Sequence, residues 1–542
     1  MIALGLAVAT ATASAQSAID AYSVSQGDLK GTARFMSMAG AFGALGGDLS
    51  TLTQNPGGIG VYRSSDIGVT IDLNMQRAKT SPLGVGYGDV TKDQTKFYCN
   101  NFGYVGAVRL NNDVMPYFNW GASYTRAASF DRAYKGHFPA LNGSLTNYVA
   151  DFTSAEGWTQ DALFQREGSG YNPYQDGAAP WTSILFYNNY LINVDGTGGY
   201  AGLYGNGAVG FGEYDVLEKG YVDEYSINFG GNITNTVYWG IGFGITDIDF
   251  KQMTYYSETF ESGAVVPNHD ATGVEGNGSG GYGLSSWKHI NGTGFNLKLG
   301  VIVKPINELR LGFAVHTPTW YNFTQEGGAA VDYELSTGFY PTSINSWRTT
   351  TDEGYNDWFE WKGRTPWRLI ASAAGVVGGR FIISGDYEYR PYQNMNIADR
   401  DGNNYELMND DVKTYYQSTN IVRLGAEYRV TPSFSVRAGY SYESTPTTAE
   451  VKDNRVPVFT SGPDDTETTP SYSLDKSTQY ITCGLGYRYK AFYADLAYVH
   501  KSRKSVYSGY TPLTYDGAYT GAPQAEVSNN DNSIILSVGF RF

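Results

Sequence analysis

Apolar and polar residues alternate along most of this 542-residue chain, and this alternation restricts its fold more than any other feature. From Ile67 to Met75 every second residue is apolar, and the residues between are Gly, Thr, Asp or Asn. The same period of two recurs over 237–246, 297–303, 422–430, 481–489 and 492–498. Successive side chains of a β-strand point to opposite faces, so each stretch predicts a strand with one apolar face. A stretch of about ten residues can cross a bilayer as a tilted strand.

These stretches predict about 14 strands, an even number as in single-chain bacterial barrels. The predicted spans are 66–77, 101–110, 117–129, 223–231, 236–251, 291–303, 308–323, 364–377, 380–392, 415–430, 433–445, 476–490, 491–504 and 528–542. Short turns alternate with long joins, which are 78–96, 130–222, 252–290, 324–363, 393–414, 446–475 and 505–527. This asymmetry is typical of membrane barrels. We predict an all-β fold, a transmembrane antiparallel β-barrel of about 14 strands over residues 66–542, with 130–222 as its longest extracellular loop.

Charged residues occupy the polar faces of the predicted strands. Lipid offers no hydrogen-bond partners, so strands cross it only as a closed barrel with an apolar outer face. A charge that faces lipid at mid-bilayer costs about 2–4 kcal/mol. We therefore expect the charged faces to line the lumen, and the residues concerned are Lys298, Arg310, Arg368, Asp386, Glu388, Arg423, Glu427, Arg429, Arg437, Arg488, Asp495 and Arg541.

Composition excludes some classes of protein. The 38 Lys and Arg against 53 Asp and Glu give a net charge of −15, which argues against a nucleic-acid partner because phosphate binding needs clustered cations. Aromatic residues are 15% of the chain and charged residues only 17%, a balance that suits aromatic rings at two membrane interfaces. Cys99 and Cys483 fall on separate predicted strands, and we expect no disulfide between them.

The two ends of the chain resemble a secretion signal and a barrel-insertion signal, respectively. Residues 2–9 are apolar and precede Ala13-Ser14-Ala15, an A-x-A cleavage pattern, so 1–15 is interpreted as a signal peptide remnant. No Lys or Arg precedes the apolar run, so we expect the true start to lie further upstream; a disordered N-terminus is the alternative. At the other end, alternation closes on Phe542, and a terminal aromatic resembles the signal read by the barrel insertion machinery.

Residues 16–65 lack the alternation. Phe35, Met38, Phe42 and Leu45 recur at helical spacing, with glycines between them, and the turn cluster Asn55-Pro56-Gly57 follows. A segment with its own apolar face before a barrel is expected to fold into the lumen as a plug. A free periplasmic arm is the alternative.

Several motifs resemble one family. Residues 34–41 (RFMSMAGA), Asp48, Asn55-Pro56-Gly57 and Gly60 resemble the N-terminal hatch of the FadL/TodX family of outer-membrane transporters. The stretches 309–319, 365–368 and 423–429 resemble its Bacteroidetes-type branch. The family fold is a 14-stranded barrel with an N-terminal hatch, which here implies a hatch at 16–65. The family usually has Asn-Pro-Ala, so Gly57 implies a looser hatch turn.

The resemblance implies a lumenal pocket for hydrophobic ligands beside the hatch. An apolar tail needs a dry apolar pocket, and an anionic head needs cations or amide donors. The tail candidates are Phe35, Met38, Phe42 and Leu45, with plain packing against the wall as the alternative. The head-group candidates are Arg310, Arg423 and Arg437, with ion pairs to Glu427, Asp386 or Asp495 as the alternative.

The resemblance also implies sideways release through the wall beside a kinked third strand. Gly121 lies near the middle of the predicted third strand, where glycine permits a bulge or bend. It is the candidate lateral gate.

Catalytic and metal-binding patterns are absent from the sequence. The five His residues are scattered, with no H-E-x-x-H, and no G-x-S-x-G occurs. The G-x-G-x-x-G matches at 205–210 and 276–281 lack a βαβ context, and the glycine of 399–403 is misplaced for a calcium loop. We expect neither an enzyme nor a cofactor or metal.

The leading hypothesis is passive uptake of hydrophobic small molecules, such as long-chain fatty acids, across a Gram-negative outer membrane. The protein would be a monomeric multi-pass barrel in contact with outer-membrane lipid. The second hypothesis is a barrel of the same fold that docks or shuttles secreted polypeptides, gripped by the 130–222 loop with its Trp158 and Trp181. The lack of a Ser/His constellation argues against a lipase.

Overall fold

The computed structural model describes residues 17–84, 88–164, 170–267, 273–336, 344–453, 456–458, 468–515 and 518–542. The predicted signal segment 1–15 lies outside the described residues. No helix in these ranges is long and apolar enough to cross a membrane.

The secondary structure is numbered along the chain. The strands are β1 (Asp66–Pro82), β2 (Val90–Arg109), β3 (Tyr117–Ser129), β4 (Arg132–Phe138), β5 (Ile192–Val194), β6 (Tyr200–Gly202), β7 (Tyr204–Ile233), β8 (Val237–Pro267), β9 (Val274–Ile306), β10 (Leu309–His316), β11 (Trp320–Ser336), β12 (Ile344–Thr350), β13 (Asp357–Arg364), β14 (Arg368–Val377), β15 (Phe381–Pro391), β16 (Asn396–Asp399), β17 (Ser418–Thr431), β18 (Phe434–Glu443), β19 (Tyr472–Tyr489), β20 (Phe492–Ser508), β21 (Leu513–Tyr515), β22 (Ala518–Thr520) and β23 (Gln524–Arg541). The helices are α1 (Ala18–Ser25), α2 (Ala33–Ser37), α3 (Thr51–Gln54), α4 (Leu145–Ala155), α5 (Gln160–Leu163), α6 (Pro173–Asp176), α7 (Trp181–Asn188), α8 (Glu406–Tyr415) and α9 (Ala449–Lys452), with 3₁₀ helices at Pro56–Val61, Thr351–Gly354 and Tyr392–Asn394.

Fourteen antiparallel wall strands form a closed barrel in the described part of the chain, which confirms the predicted fold class. Their order is β1, β2, β3, β7, β8, β9, β10 continued by β11, β14 preceded by β13, β15, β17, β18, β19, β20 and β23. The last strand returns to the first, with Asp66 opposite Arg541 and Pro82 opposite Ala525. The wall is interrupted at Pro318, between β10 and β11, and at Pro366, between β13 and β14. Proline has no N–H to give to the ladder.

The two faces of the wall match the predicted alternation. Ile67, Ile71 and Met75 lie outside and are 37–39% exposed, whereas Thr70 and Asp72 point inward and are 1% exposed. An apolar exterior is what lipid requires of a closed sheet. Most of the expected lumenal charges are buried inside, but Arg429 and Arg488, beside the short turns, are exposed.

The wall extends further toward the long-loop end than the sequence predicted. The segment 252–290, predicted as a loop, is mostly the paired upper halves of β8 and β9. The predicted loop 130–222 holds β4, α4–α7, β5, β6 and the first half of β7. Above the bilayer both faces of a strand contact water or protein, so the sequence there need not alternate, and these strands were missed.

The hatch segment, described from residue 17 to residue 65, packs on the inward face of the wall. Its 3₁₀ helix Pro56–Val61 contacts β7, β8 and β9, and α2 contacts β19 and β20. Its core includes Phe42 and buries Ala374, Tyr480, Ala497 and Ile535 of the wall. Ile535 breaks the alternation of the last strand because its inward side chain covers this core.

A second apolar layer lies nearer the long-loop end. There α1 packs against α8, with Tyr22 stacked on Tyr416 at a centroid distance of 4.7 Å. The outermost layer joins α4 and α7 to the upper halves of β7, β8 and β9. We call residues 145–202, which carry α4–α7, β5 and β6, the cap.

One buried carboxylate attaches the cap to the wall. Glu258 of β8 accepts a hydrogen bond from the backbone N–H of Leu145 at 3.0 Å and from the hydroxyl of Tyr256 at 2.8 Å. The hydroxyl of Ser144 also donates to it. Burial raises the pKa of Glu258, and the hydrogen bonds from these donors oppose that shift in part. The start of α4 is thereby held on the barrel.

Candidate functional site

Two adjoining cavities lie inside the barrel, on either side of the loop that follows α1. They share the chain from Gln26 to Lys30 as a common wall. We call the first the Arg132 cavity and the second the Arg423 cavity. The loop that joins α1 to α2 separates them.

The Arg423 cavity has a cationic lining. Six of its side chains are basic, namely Lys30, Arg126, Lys298, Arg368, Arg390 and Arg423, and two are acidic, Asp28 and Glu224. Most of the carboxylates that form ion pairs with these cations do not line the cavity. The cavity surface therefore presents positive charge to anything that enters.

Three of these arginines share one carboxylate. Arg368 Nε lies 2.6 Å from Glu388 Oε1, Arg423 Nη1 lies 2.8 Å from Oε2, and Arg390 Nε also donates to Oε1. Glu388 is fully buried. Arg423 Nε is buried and has no hydrogen-bond partner in the described part of the chain. A buried donor without a partner is costly, so this group favours an acceptor.

The Arg132 cavity is nearly balanced in charge. Its lining has five basic and six acidic side chains, and four of the five basic ones pair within the lining; Lys30 pairs with Asp72 outside it. Lys288 lies 2.9 Å from Asp20, and Arg503 lies 2.6 Å from Asp475. Met36, Phe130 and Phe250 add apolar surface. This cavity offers mixed surface without an excess of either charge.

The predicted tail residues divide between the cavity and the core. All four are buried: Phe35, Met38, Phe42 and Leu45. Phe35 lines the Arg423 cavity. The other three pack within the hatch core and do not line the cavities described above, which is the packing arrangement named as the alternative.

The predicted head-group residues also divide. Arg423 lines the cavity and adjoins Phe35 there. Arg437 lies 2.7 Å from Glu427 and also pairs with Asp495. Arg310 donates to the backbone oxygen of Leu45 at 2.7 Å. The structure thus brings Arg423 to the tail candidate Phe35 and places the other two arginines in contacts that hold the hatch segment and the wall.

The hatch turn is tight. Asn55 Nδ2 donates to the oxygen of Gly43 at 2.6 Å, and its Oδ1 accepts from Gly57 N at 3.0 Å. A Cβ on Gly57 would lie 2.9 Å from the backbone of Gly300 and Val301. Gly57 therefore permits a close approach to β9, and the expected loosening of the turn is not observed.

The wall at Gly121 is paired on both sides, to Val105 and to Asn228. The ladder between β2 and β3 ends a few residues further, at Asn101 and Thr125, while β2 continues to pair with β1 up to Val90. We call this divergence of β2 and β3 the seam.

Side chains occupy the seam. The guanidinium of Arg126 lies 2.9 Å from Asp223 and sits over the rings of Tyr98 and Tyr221 at 5.6 and 4.9 Å. A register shift lies between Arg126 and Ala128. The irregularity of the third strand is therefore above Gly121 rather than at it.

Sequence reasoning missed Arg390 and Arg126 as site residues and did not select Arg368. Arg368 was one of many expected lumenal charges, and its place in the Thr365-Pro366-Trp367-Arg368 motif was the available signal. Within the described residues no group of three His, Cys, Asp or Glu side chains could hold a metal ion.

Wall and lumen together define the class of protein as a β-barrel of membrane type whose lumen is filled by its own N-terminal segment. Neither the family models nor the curated protein sequences compared with the chain match it.

Similar solved structures include a Pseudomonas aeruginosa FadL homologue, at 13% identity and a TM-score of 0.48, over 95% of this chain and 99% of that one. The P. putida toluene transporter TodX has 13% identity and a TM-score of 0.45, over 95% and 99%. The Ralstonia pickettii toluene transporter TbuX has 14% identity and a TM-score of 0.40, over 95% and 99%.

Proposed function

We propose that this protein is an outer-membrane channel for passive uptake of hydrophobic small molecules with an anionic head, of which long-chain fatty acids are the type. The observation that supports this most is the cationic lining of the Arg423 cavity. Two groups are proposed to bind the anionic head, the partly exposed guanidinium of Arg368 and the unpaired Nε of Arg423, which is buried and must be uncovered by a shift of the lining. Charge-assisted bonds of this kind are about twice as strong as neutral ones.

The apolar part of the ligand needs surface within reach of that head-group site. Leu29 and Phe35 line the Arg423 cavity, and Leu29 also lines the Arg132 cavity with Met36 and Phe130. A chain bound at Arg423 is therefore proposed to lie along Phe35 and Leu29 and to continue toward Phe130. Arg310 and Arg437 keep their contacts with the hatch segment and the wall in this scheme.

We place lateral release at the seam. The seam is closed by side chains of β2, β3 and β7 rather than by a backbone ladder. It is proposed to open when Arg126 changes rotamer and the 2.9 Å hydrogen bond from Tyr98 to Asp131 breaks. Gly121 lies in the paired stretch below and is proposed as the point about which β3 bends. The hatch segment blocks the straight path through the lumen.

Uptake of radiolabelled oleate by cells that lack their own fatty-acid channel tests the proposal. Arg423→Gln is expected to lower uptake at least fivefold, because the head loses its unpaired donor. Glu388 retains Arg368 and Arg390, so the barrel should still fold. Arg77→Gln, which breaks an exposed pair with Asp93, is the matched control and should leave uptake unchanged.

A neutral ligand separates head-group binding from general loss of function. Oleyl alcohol should enter less readily than oleate through the original protein, and Arg423→Gln should remove that difference. Uptake equal to that of cells without the protein would refute the channel. Unchanged oleate uptake by Arg423→Gln would refute the site.

The shuttle alternative needs aromatic side chains of the cap to face a partner. Trp181 is buried, and the indole of Trp158 donates to Glu156 at 2.6 Å while packing on the cap core. These contacts favour the channel over the shuttle.

A further inference from the structure

A polar groove of about 340 Å³ lies on the outer surface of the barrel, separate from both lumenal cavities. Small-ligand sites usually have volumes of about 300–1,000 Å³. Its lining comes from the break between β13 and β14, the 3₁₀ helix Tyr392–Asn394, β16 and α8. The side chains that matter below are Arg364, Trp367, Asn394, Asn404, Glu406 and Lys413.

The position of the groove is fixed by Trp367. Trp367 directly precedes β14 and lies two residues before Leu369 of that strand, and both side chains are 43% exposed. Leu369 is the first residue of β14 that faces lipid, so Trp367 lies just outside the lipid-facing part of the wall. Arg364 lies opposite Trp320, another exposed outer aromatic residue, in the ladder between β11 and β13. The groove therefore begins where the apolar belt ends, at the level of lipid head groups.

Several lining groups have polar atoms that form no hydrogen bond or ion pair with another described residue. In the described part of the chain Arg364 forms no ion pair, and Trp367 forms neither a ring contact nor a side-chain hydrogen bond. Asn394 and Glu406 are exposed. Asn404 accepts one bond from Asn396 at 3.1 Å, which leaves its amide N–H₂ available. The groove therefore combines hydrogen-bond donors, a carboxylate and an indole face that are all accessible to a ligand.

This set of groups matches a saccharide. A pyranose has an apolar C–H face that packs on an indole, and vicinal hydroxyls that pair with amides and carboxylates. Arg364 adds a cation that a sugar phosphate requires, and Lys413, which pairs with Asp410 at 2.8 Å, is a second one. Phospholipid head groups would also use the cations, but they have no pyranose face to pack on Trp367.

We propose that this groove binds the phosphorylated oligosaccharide head of an outer-leaflet glycolipid. Its continuity with the lipid-facing row of β14 selects a membrane-anchored glycolipid over a free sugar, because acyl chains can lie on Leu369 while the head lies on Trp367. The proposal rests on the outer-membrane location proposed above and needs no transport activity.

Binding of rough lipopolysaccharide to the purified full-length barrel in detergent tests the assignment. Trp367→Ala and Arg364→Gln should each weaken binding at least tenfold. Trp347→Ala, which removes a Trp on β12 that is 93% exposed and lies outside the groove, is the matched control and should bind as the original protein does. Arg423→Gln should also retain lipopolysaccharide, which separates this test from the uptake assay.

Two further probes identify the source of the sugar. Deacylated core oligosaccharide should bind more weakly than intact lipopolysaccharide, and phosphatidylethanolamine/phosphatidylglycerol vesicles should bind all variants alike. Equal binding of lipopolysaccharide by Trp367→Ala and Arg364→Gln would overturn the proposal. Core oligosaccharide bound as tightly as the intact glycolipid would overturn the choice of a membrane-anchored ligand.

Discussion

Alanine at Gly240 places a methyl group between the wall and the hatch turn. Gly240 faces inward on β8, and a Cβ there would lie 2.0 Å from the oxygen of Pro56 and 2.4 Å from its carbonyl carbon. Real Cβ atoms essentially never come within 3.0 Å of such atoms, so the turn must move by about 1 Å, and overpacking of this kind costs about 1–3 kcal/mol. Stretching the bond from Asn55 to Gly43 adds about 1 kcal/mol.

A displaced turn should unseat the hatch segment while the wall stays intact. We expect Gly240→Ala to show larger or more frequent conductance steps in planar bilayers and a lower melting temperature than the original protein. Gly375→Ala is the matched control, because a Cβ on that wall glycine meets only Ile383 Cγ2, at 3.5 Å. If Gly240→Ala conducts and melts as Gly375→Ala does, the hatch segment is not held as argued here.

Three further changes test other parts of the molecule. Burial raises the pKa of Asp411, on α8, to about 6. Protonation of Asp411 therefore stabilises the folded protein below about pH 4, and this stabilisation is lost as the pH rises through 6. Asp411→Asn should reduce the change of melting temperature with pH between about pH 4 and 7. Phe42→Ala should lower the free energy of unfolding by about 3–5 kcal/mol in urea titrations, because the ring is fully buried; a loss below 1 kcal/mol would contradict close packing of the hatch core. Arg126→Ala should raise oleate uptake by opening the seam, and unchanged uptake would place the exit elsewhere.

The wall was predictable because lipid imposes one rule on every strand. Residues such as Ile67 and Met75 must be apolar wherever they meet the bilayer, so the period of two survives in the sequence. Outside the bilayer no residue has to be apolar for contact with lipid, so the sequence of the upper halves of β8 and β9 does not alternate with a period of two. Ile535 is an apolar residue at an inward position, because its side chain packs on the hatch core rather than against lipid.

The site was only partly predictable because it depends on register and on three-dimensional neighbours. The sequence indicates that Arg423 faces inward, but the sharing of Glu388 with Arg368 and Arg390 arises from the pairing of β14, β15 and β17. Helix α1 was missed because it is only eight residues long. Phe35 and Phe42 have the same helical spacing, yet one borders a cavity and the other fills the hatch core.

The pairing of β1 with β23 sets an order of assembly. These strands are the first and the last of the wall, so the barrel cannot close until β23 has been made. Residues 17–65 are made before either strand and end up enclosed on every side. The hatch segment must therefore enter the lumen before, or while, the last hydrogen bonds between β1 and β23 form. If these two strands paired first, the closed barrel would leave the hatch segment outside.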